Sequence, residues 1–295
     1  MLVNDVSIKG NDYNLNLTHF EPDNKKSKCP IVMIHGAIEN GKIFYSESGK
    51  GLAPFLCKNG HEVFVLDSRG RGKSLPKVNK DSSFGNYEIV KDDFPLVYQR
   101  VKSITNADSQ IWLGHSWGGV LILHFYARFS HSYSLKKLVF FGSKRQISIR
   151  SMKRFVMVEI MWRFVGRILT NIHGYFPSKI YKYGSDDESR NTYLEADRLV
   201  KQKQWTDIDG FNYHTFYKSG IDIPILSLTG ENDDVLGHPI DCKVLLKEAR
   251  AVHAKFKVIG LEQGHLHDYD HINLLTHNDT SKDQFKIVQD FLDKS

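Results

Sequence analysis

The chain has 295 residues, 41% hydrophobic and 25% charged, which supports a large buried core and excludes extended disorder. A net charge of +6 without zinc-finger spacing or an aromatic RNA-binding signature speaks against a nucleic-acid partner. No apolar run reaches the roughly 18 residues of a spanning helix. No basic segment followed by an apolar stretch marks a signal peptide at the N-terminus, and Cys29, Cys57 and Cys242 form no C-x-x-C motif. Together these features predict a cytoplasmic protein with reduced thiols.

Residues 3–20 read as an antiparallel pair of strands turning at Gly10-Asn11-Asp12. Two apolar runs follow, one leading into His35-Gly36-Ala37 and the other into Asp67. Residues 86–104 carry helical periodicity, with Pro95 expected to bend or break the helix. Residues 110–113 are a short apolar strand, and residues 120–128 are apolar enough for a buried helix. Residues 138–143 read as the next strand, after which the alternation breaks until about residue 220. Strands resume at 223–229 and 254–259, and residues 281–292 close the chain with a helix turning Phe285, Ile287, Val288, Phe291 and Leu292 inward. Alternating strands and helices predict an α/β fold, a mainly parallel central sheet with helices on both faces. No internal repeat is visible.

Gly114-His115-Ser116-Trp117-Gly118-Gly119 carries G-x-S-x-G between the strand and the helix. A sharp turn there lifts a serine hydroxyl above the sheet, and the first N–H groups of the helix face the place where an oxyanion would form. Serine alone is a weak nucleophile; it needs a histidine to take its proton and a carboxylate to orient that histidine. After the strand at 223–229 comes Gly230-Glu231-Asn232-Asp233-Asp234, and after the strand at 254–259 comes Gly264-His265. Carboxylate and histidine thus fall at strand ends on one edge of the sheet, with Asp233 and Asp234 both available as the acid.

Four motifs resemble the alpha/beta-hydrolases of the serine esterase and lipase kind: His35-Gly36-Ala37 after a strand, the Asp67-Ser68-Arg69-Gly70-Arg71-Gly72-Lys73-Ser74 loop, the Ser116 turn, and the Gly230-to-Asp233 turn with Gly264-His265. The resemblance implies Ser116 as nucleophile, Asp233 as acid and His265 as base, with the oxyanion held by the N–H groups of Ala37 and Trp117. Asp234 is the alternative acid, and Ile38 the alternative donor. It also implies a hydrolase core of residues 1–143 and 216–295, a helical cap over 144–215, a small-molecule ester substrate and no cofactor. Aminopeptidases and thioesterases use the same triad; an aminopeptidase would need an acidic anchor for the free amine, for which Glu188 and Glu195 are candidates. A ligand-binding protein retaining the fold is the non-enzymatic alternative.

Two other motifs are weaker. Gly72-Lys73-Ser74 mimics the end of a P-loop, but Asp67 stands where that loop requires glycine. The run His265-Leu266-His267-Asp268-Tyr269-Asp270-His271 has metal-binding residue types, yet it is one residue longer than the H-x-H-x-D-H signature, and no metal is expected. Residues 144–182 hold nine basic residues against Glu159, a net of +8, around the apolar stretch 155–165. This stretch reads either as a helix packed on the core and lining an acyl pocket, or as a helix lying on an anionic membrane.

Overall fold

The computed structural model describes residues 1–294. Its strands are β1 (Leu2–Lys9), β2 (Asn14–Glu21), β3 (Ile31–Ile34), β4 (Val63–Asp67), β5 (Gln110–His115), β6 (Leu135–Phe141), β7 (Tyr175–Phe176), β8 (Glu188–Ser189), β9 (Ile225–Gly230) and β10 (Ala254–Ile259). Eight of them form one sheet in the order β1-β2-β4-β3-β5-β6-β9-β10. The expected hairpin at the N-terminus is present, with β1 antiparallel to β2 and β2 antiparallel to β4. From β4 to β10 every pairing is parallel.

Period-two alternation assigns successive residues of the central strands to two separate cores. Val32, Ile34, Phe64, Leu66, Trp112, Leu138 and Phe140 face one core, which the helices Phe94–Thr105 and Trp117–Phe129 cover. Ile31, Met33, Val63, Val65, Leu113, Val139 and Phe141 face the other, covered by Leu52–Lys58 and Gln284–Asp293. The strands are apolar on both faces because both faces are covered. At the sheet's edge β10 instead exposes Lys255 and Lys257, whose charges discourage pairing with another chain.

Two helices differ in detail from their sequence reading. The helix expected over 86–104 begins at Asn86, widens into a π turn over Ile89–Asp93 and continues as Phe94–Thr105. Pro95 has no N–H for the carbonyl four residues earlier, so the hydrogen-bond ladder shifts just before it. The last helix starts at Gln284, because Asp283 has a non-helical backbone and its carboxylate binds the preceding loop.

Between β6 and β9 the chain leaves the sheet. Met152–Arg154, Phe155–Val165 and Gly166–His173 run end to end as one helix whose middle part is π-helical. The β7–β8 hairpin and the helix Arg190–Lys201 follow. Trp162 packs between Phe176 and Tyr193, with ring centroids 5.2 and 4.9 Å away, so its indole fills the interior of this insertion. The opposite side exposes Met152, Val156, Ile160, Phe164, Ile168 and Ile172 in one row. No helix among the described residues is long and apolar enough to cross a membrane.

Candidate active site

Ser116 sits between β5 and the helix Trp117–Phe129 with φ +50° and ψ −119°, a conformation that non-glycine residues rarely adopt. The turn is held by the Ser116 N–H, which donates to Phe141 O at 2.8 Å, and by close backbone contact: a Cβ on Gly118 would stand 2.4 Å from Ile34 O. Strain at a serine between a strand end and a helix start is the geometry that presents a nucleophile.

Of the two candidate acids, Asp233 is buried and Asp234 is exposed, paired with Lys153 at 2.7 Å. Asp233 does not meet His265. Its Oδ2 lies 2.5 Å from Nδ1 of His271, while its Oδ1 accepts the Gly237 N–H at 2.7 Å. His265 turns the other way, with Nδ1 2.6 Å from Asp283 Oδ1. The cause is the loop's attachment to the last helix: Asp283 Oδ2 also accepts the Leu266 N–H and the Tyr269 hydroxyl, at 2.9 and 3.0 Å. With the His265 ring and the Tyr269 hydroxyl held by Asp283, the histidine that comes to face Asp233 is His271.

His271 stands beside the end of β6, where a Cβ on Gly142 would lie 2.9 Å from Nδ1. The residue before the serine reaches the same place, since His115 Nε2 donates to His271 O at 3.1 Å. Burial lowers the pKa of His271 below its ordinary value, although the Asp233 carboxylate opposes it. Asp233 is also held low: burial would raise it, but the facing His271 outweighs that. The Nδ1–H bond to Asp233 leaves Nε2 as the basic nitrogen, and Nε2 has no hydrogen-bond partner among the described residues.

A second buried pair lies beneath the turn. His115 Nδ1 is 2.8 Å from Glu39 Oε2, which also accepts the Gly36 N–H at 2.9 Å. Both His115 nitrogens therefore face acceptors, as an imidazolium requires. Although burial lowers the His115 pKa, the charge of Glu39 raises it overall. His35 is the opposite case: burial and then Arg71 lower it to about 4. Its Nε2 accepts the Ser68 N–H and its Nδ1–H binds Gly36 O, the pattern of a neutral ring.

Among the described residues neither the Ala37 nor the Trp117 N–H has an acceptor in the protein, as groups awaiting an oxyanion would not. The Ile38 N–H does have one, Glu188 Oε1 at 2.6 Å, so Ile38 is not a free alternative to Ala37.

The remaining histidines of the 265–271 run scatter. His267 joins His277 and Asp279, whose potential ligand atoms lie within 4.8 Å of one another. Those groups already have partners: His267 Nε2 lies 3.0 Å from Asp279 Oδ2, Lys282 Nζ binds Asp279 Oδ1 at 2.9 Å, and the backbone Asp279 N–H donates to His277 Nδ1 at 3.2 Å. The histidine that meets Asp233 is thus His271, which the sequence reading passed over in favour of His265.

A parallel sheet with a strained serine at the end of β5 and a buried aspartate after β9 defines an alpha/beta-hydrolase. The chain belongs to the Hydrolase_4 family, serine aminopeptidase S33, which it matches over residues 25–268. It is similar to a probable lysophospholipase L2 of Haemophilus influenzae, 24% identical over 101 residues, a match that takes in 34% of this chain and 31% of that relative. Among solved structures it is similar to a soluble variant of monoglyceride lipase from Saccharomyces cerevisiae, with a TM-score of 0.71 at 15% identity over 99% of this chain and 96% of that one. An esterase from Exiguobacterium antarcticum gives a TM-score of 0.65 at 15% identity over 98% and 99% of the two chains.

Proposed function

We propose that this protein is a serine hydrolase that cleaves carboxylic esters with Ser116, His271 and Asp233. The observation that carries the reading is the buried His271–Asp233 pair at the sheet edge, where His271 O accepts from the ring of His115, the residue before the strained Ser116. Ser116 Oγ attacks the ester carbonyl carbon as its proton passes to His271 Nε2. The Ala37 and Trp117 N–H groups bind the resulting oxyanion. Collapse expels the alcohol, which takes the proton from His271, and leaves an acyl-serine. Water activated by the same nitrogen then releases the acid and restores Ser116.

Esters are favoured over aminoacyl amides by the state of the two candidate amine anchors. Glu188 is engaged by Arg71 and the Ile38 N–H. Glu195 accepts the Tyr87 N–H at 3.0 Å, and its burial raises its pKa to about 7, which weakens it as a cation anchor. Residues 144–215 act as a cap. Its outward row from Met152 to Ile172 includes Phe164 at 65% and Ile172 at 71% exposure, with Arg150 and Arg167 nearby in sequence. That combination supports peripheral docking on an anionic lipid surface and a lipophilic acyl substrate. Three unpaired cysteines fit a reducing cytoplasm.

The test is a series of p-nitrophenyl esters of increasing acyl length beside aminoacyl-nitroanilides. Ester turnover that rises with length is expected, each CH₂ adding at most about 0.8 kcal/mol. Ser116→Ala is expected to lose roughly 10⁴-fold or more in kcat and all labelling by a fluorophosphonate. Turnover of the nitroanilides alone would instead select the aminopeptidase reading.

A further inference from the structure

The loop that presents the Ala37 N–H is shaped by a segment that joins it only in the folded chain. Ile38, the next residue, has φ +53°, where a β-branched side chain is strained. Both of its peptide groups are held by the insertion. The Ser185 and Asp186 N–H groups donate to Ile38 O at 2.9 and 3.2 Å, and the Ile38 N–H donates to Glu188 Oε1 at 2.6 Å. The two segments can approach this closely because residue 184 is glycine; a Cβ there would stand 2.4 Å from Ile38 O.

The residues on either side are fixed from the same direction. The other oxygen of Glu188 pairs with Arg71, and Arg71 Nη1 reaches Gly36 O at 3.3 Å. Both members of that ion pair are buried. Asp186 Oδ2 accepts from Asn40 Nδ2 and from the Gly72 N–H, each at 2.8 Å. Gly36, Ile38 and Asn40 are therefore all tied, directly or through Arg71, to residues 185–188, while the Ala37 N–H between them is left free.

We propose that residues 184–188 form a clamp that holds Ile38 in its strained conformation and thereby aims the Ala37 N–H at the oxyanion, with Glu188 as the positioning residue. The inference rests on the serine-hydrolase reading for its effect on rate, and on geometry alone for its effect on the loop. It gives the insertion a part in the chemical step, separate from any contact with the substrate.

Two readouts test it: amide hydrogen exchange over residues 36–40, and kcat and KM on p-nitrophenyl acetate. In Glu188→Ala, exchange at Ile38 is expected to quicken and kcat to fall about 10²-fold with KM little changed, the effect of a misaimed donor. Glu188→Gln retains a carbonyl acceptor for the Ile38 N–H and should recover most of the loss. Adding Ile38→Gly to Glu188→Ala should recover part of it, because glycine adopts positive φ without strain; loss of packing alone would not be repaired this way. Should Glu188→Ala fail to fold, Gly184→Ala displaces the segment with the Arg71 pair intact, and the same fall is expected. Unchanged kcat in either folded variant, or no recovery with Ile38→Gly, would overturn the clamp. If the native protein turns over no ester, the hydrolase reading fails, and the exchange at Ile38 decides the clamp by itself.

Discussion

His265 and His271 lie on the same loop, and each has its Nδ1 against an aspartate, yet the two pairs stand in different places. His265 meets Asp283 at the start of the last helix, where that carboxylate also gathers the Leu266 N–H and the Tyr269 hydroxyl. His271 meets Asp233 at the end of β9, beside Gly142 and His115, the residue before the strained Ser116. The first pair fastens a loop to a helix; the second stands at the sheet edge that carries Ser116, the proposed nucleophile. A histidine–carboxylate hydrogen bond is thus common currency in such a fold, and its neighbours decide what it does.

The comparison is sharpened most by the acids. Asp233→Asn is expected to lower kcat by roughly 10²- to 10⁴-fold through loss of tautomer control, whereas Asp283→Asn should act mainly on stability. Asp234→Asn should be milder still, since that carboxylate only pairs with Lys153 at the surface. Steady-state kinetics beside thermal denaturation separates the three. A large loss of kcat in Asp283→Asn with full activity in Asp233→Asn would reverse the assignment of the two pairs.

A smaller effect is expected at the insertion's outer face. Phe164→Asp or Ile172→Asp should weaken sedimentation with phosphatidylglycerol vesicles by about tenfold or more, given the apolar burial lost. Binding of the native protein should also decline with salt. No vesicle binding by the native protein would leave the exposed row without a lipid role.

The smallest effect is a shift in pH dependence. Burial lowers the His271 pKa, so the acidic limb of kcat/KM should fall below the ordinary 6.5 of histidine. The base is neutral above that pKa and activity is lost as pH falls through it. A limb above 6.5 would point to a histidine stabilised as a cation, as His115 is by Glu39.

The sheet was legible because period-two apolar alternation is local, and both covered faces leave continuous runs such as Val63 to Leu66. The Ser116 turn was legible for the same reason, its glycines and flanking elements being neighbours in sequence. The histidine was not. Three histidines occupy 265–271, and which one reaches Asp233 depends on contacts such as Tyr269 with Asp283 and the Asn232 N–H with Tyr269 O at 2.9 Å. The clamp on Ile38 was hidden likewise, because Glu188 meets that residue only through the fold. The π-helical stretch Phe155–Val165 was legible as helix, but apolar residues on nearly every position do not reveal how many residues make a turn.

The most direct test is the rate at which a fluorophosphonate labels Ser116 in the native protein, in His271→Ala and in His265→Ala. Labelling needs an activated serine and no particular natural substrate. With Nε2 of His271 as the base, His271→Ala should slow labelling by roughly 10⁴-fold, and His265→Ala should leave it within about threefold of the native rate. Fast labelling of His271→Ala together with slow labelling of a folded His265→Ala would contradict the triad of Ser116, His271 and Asp233.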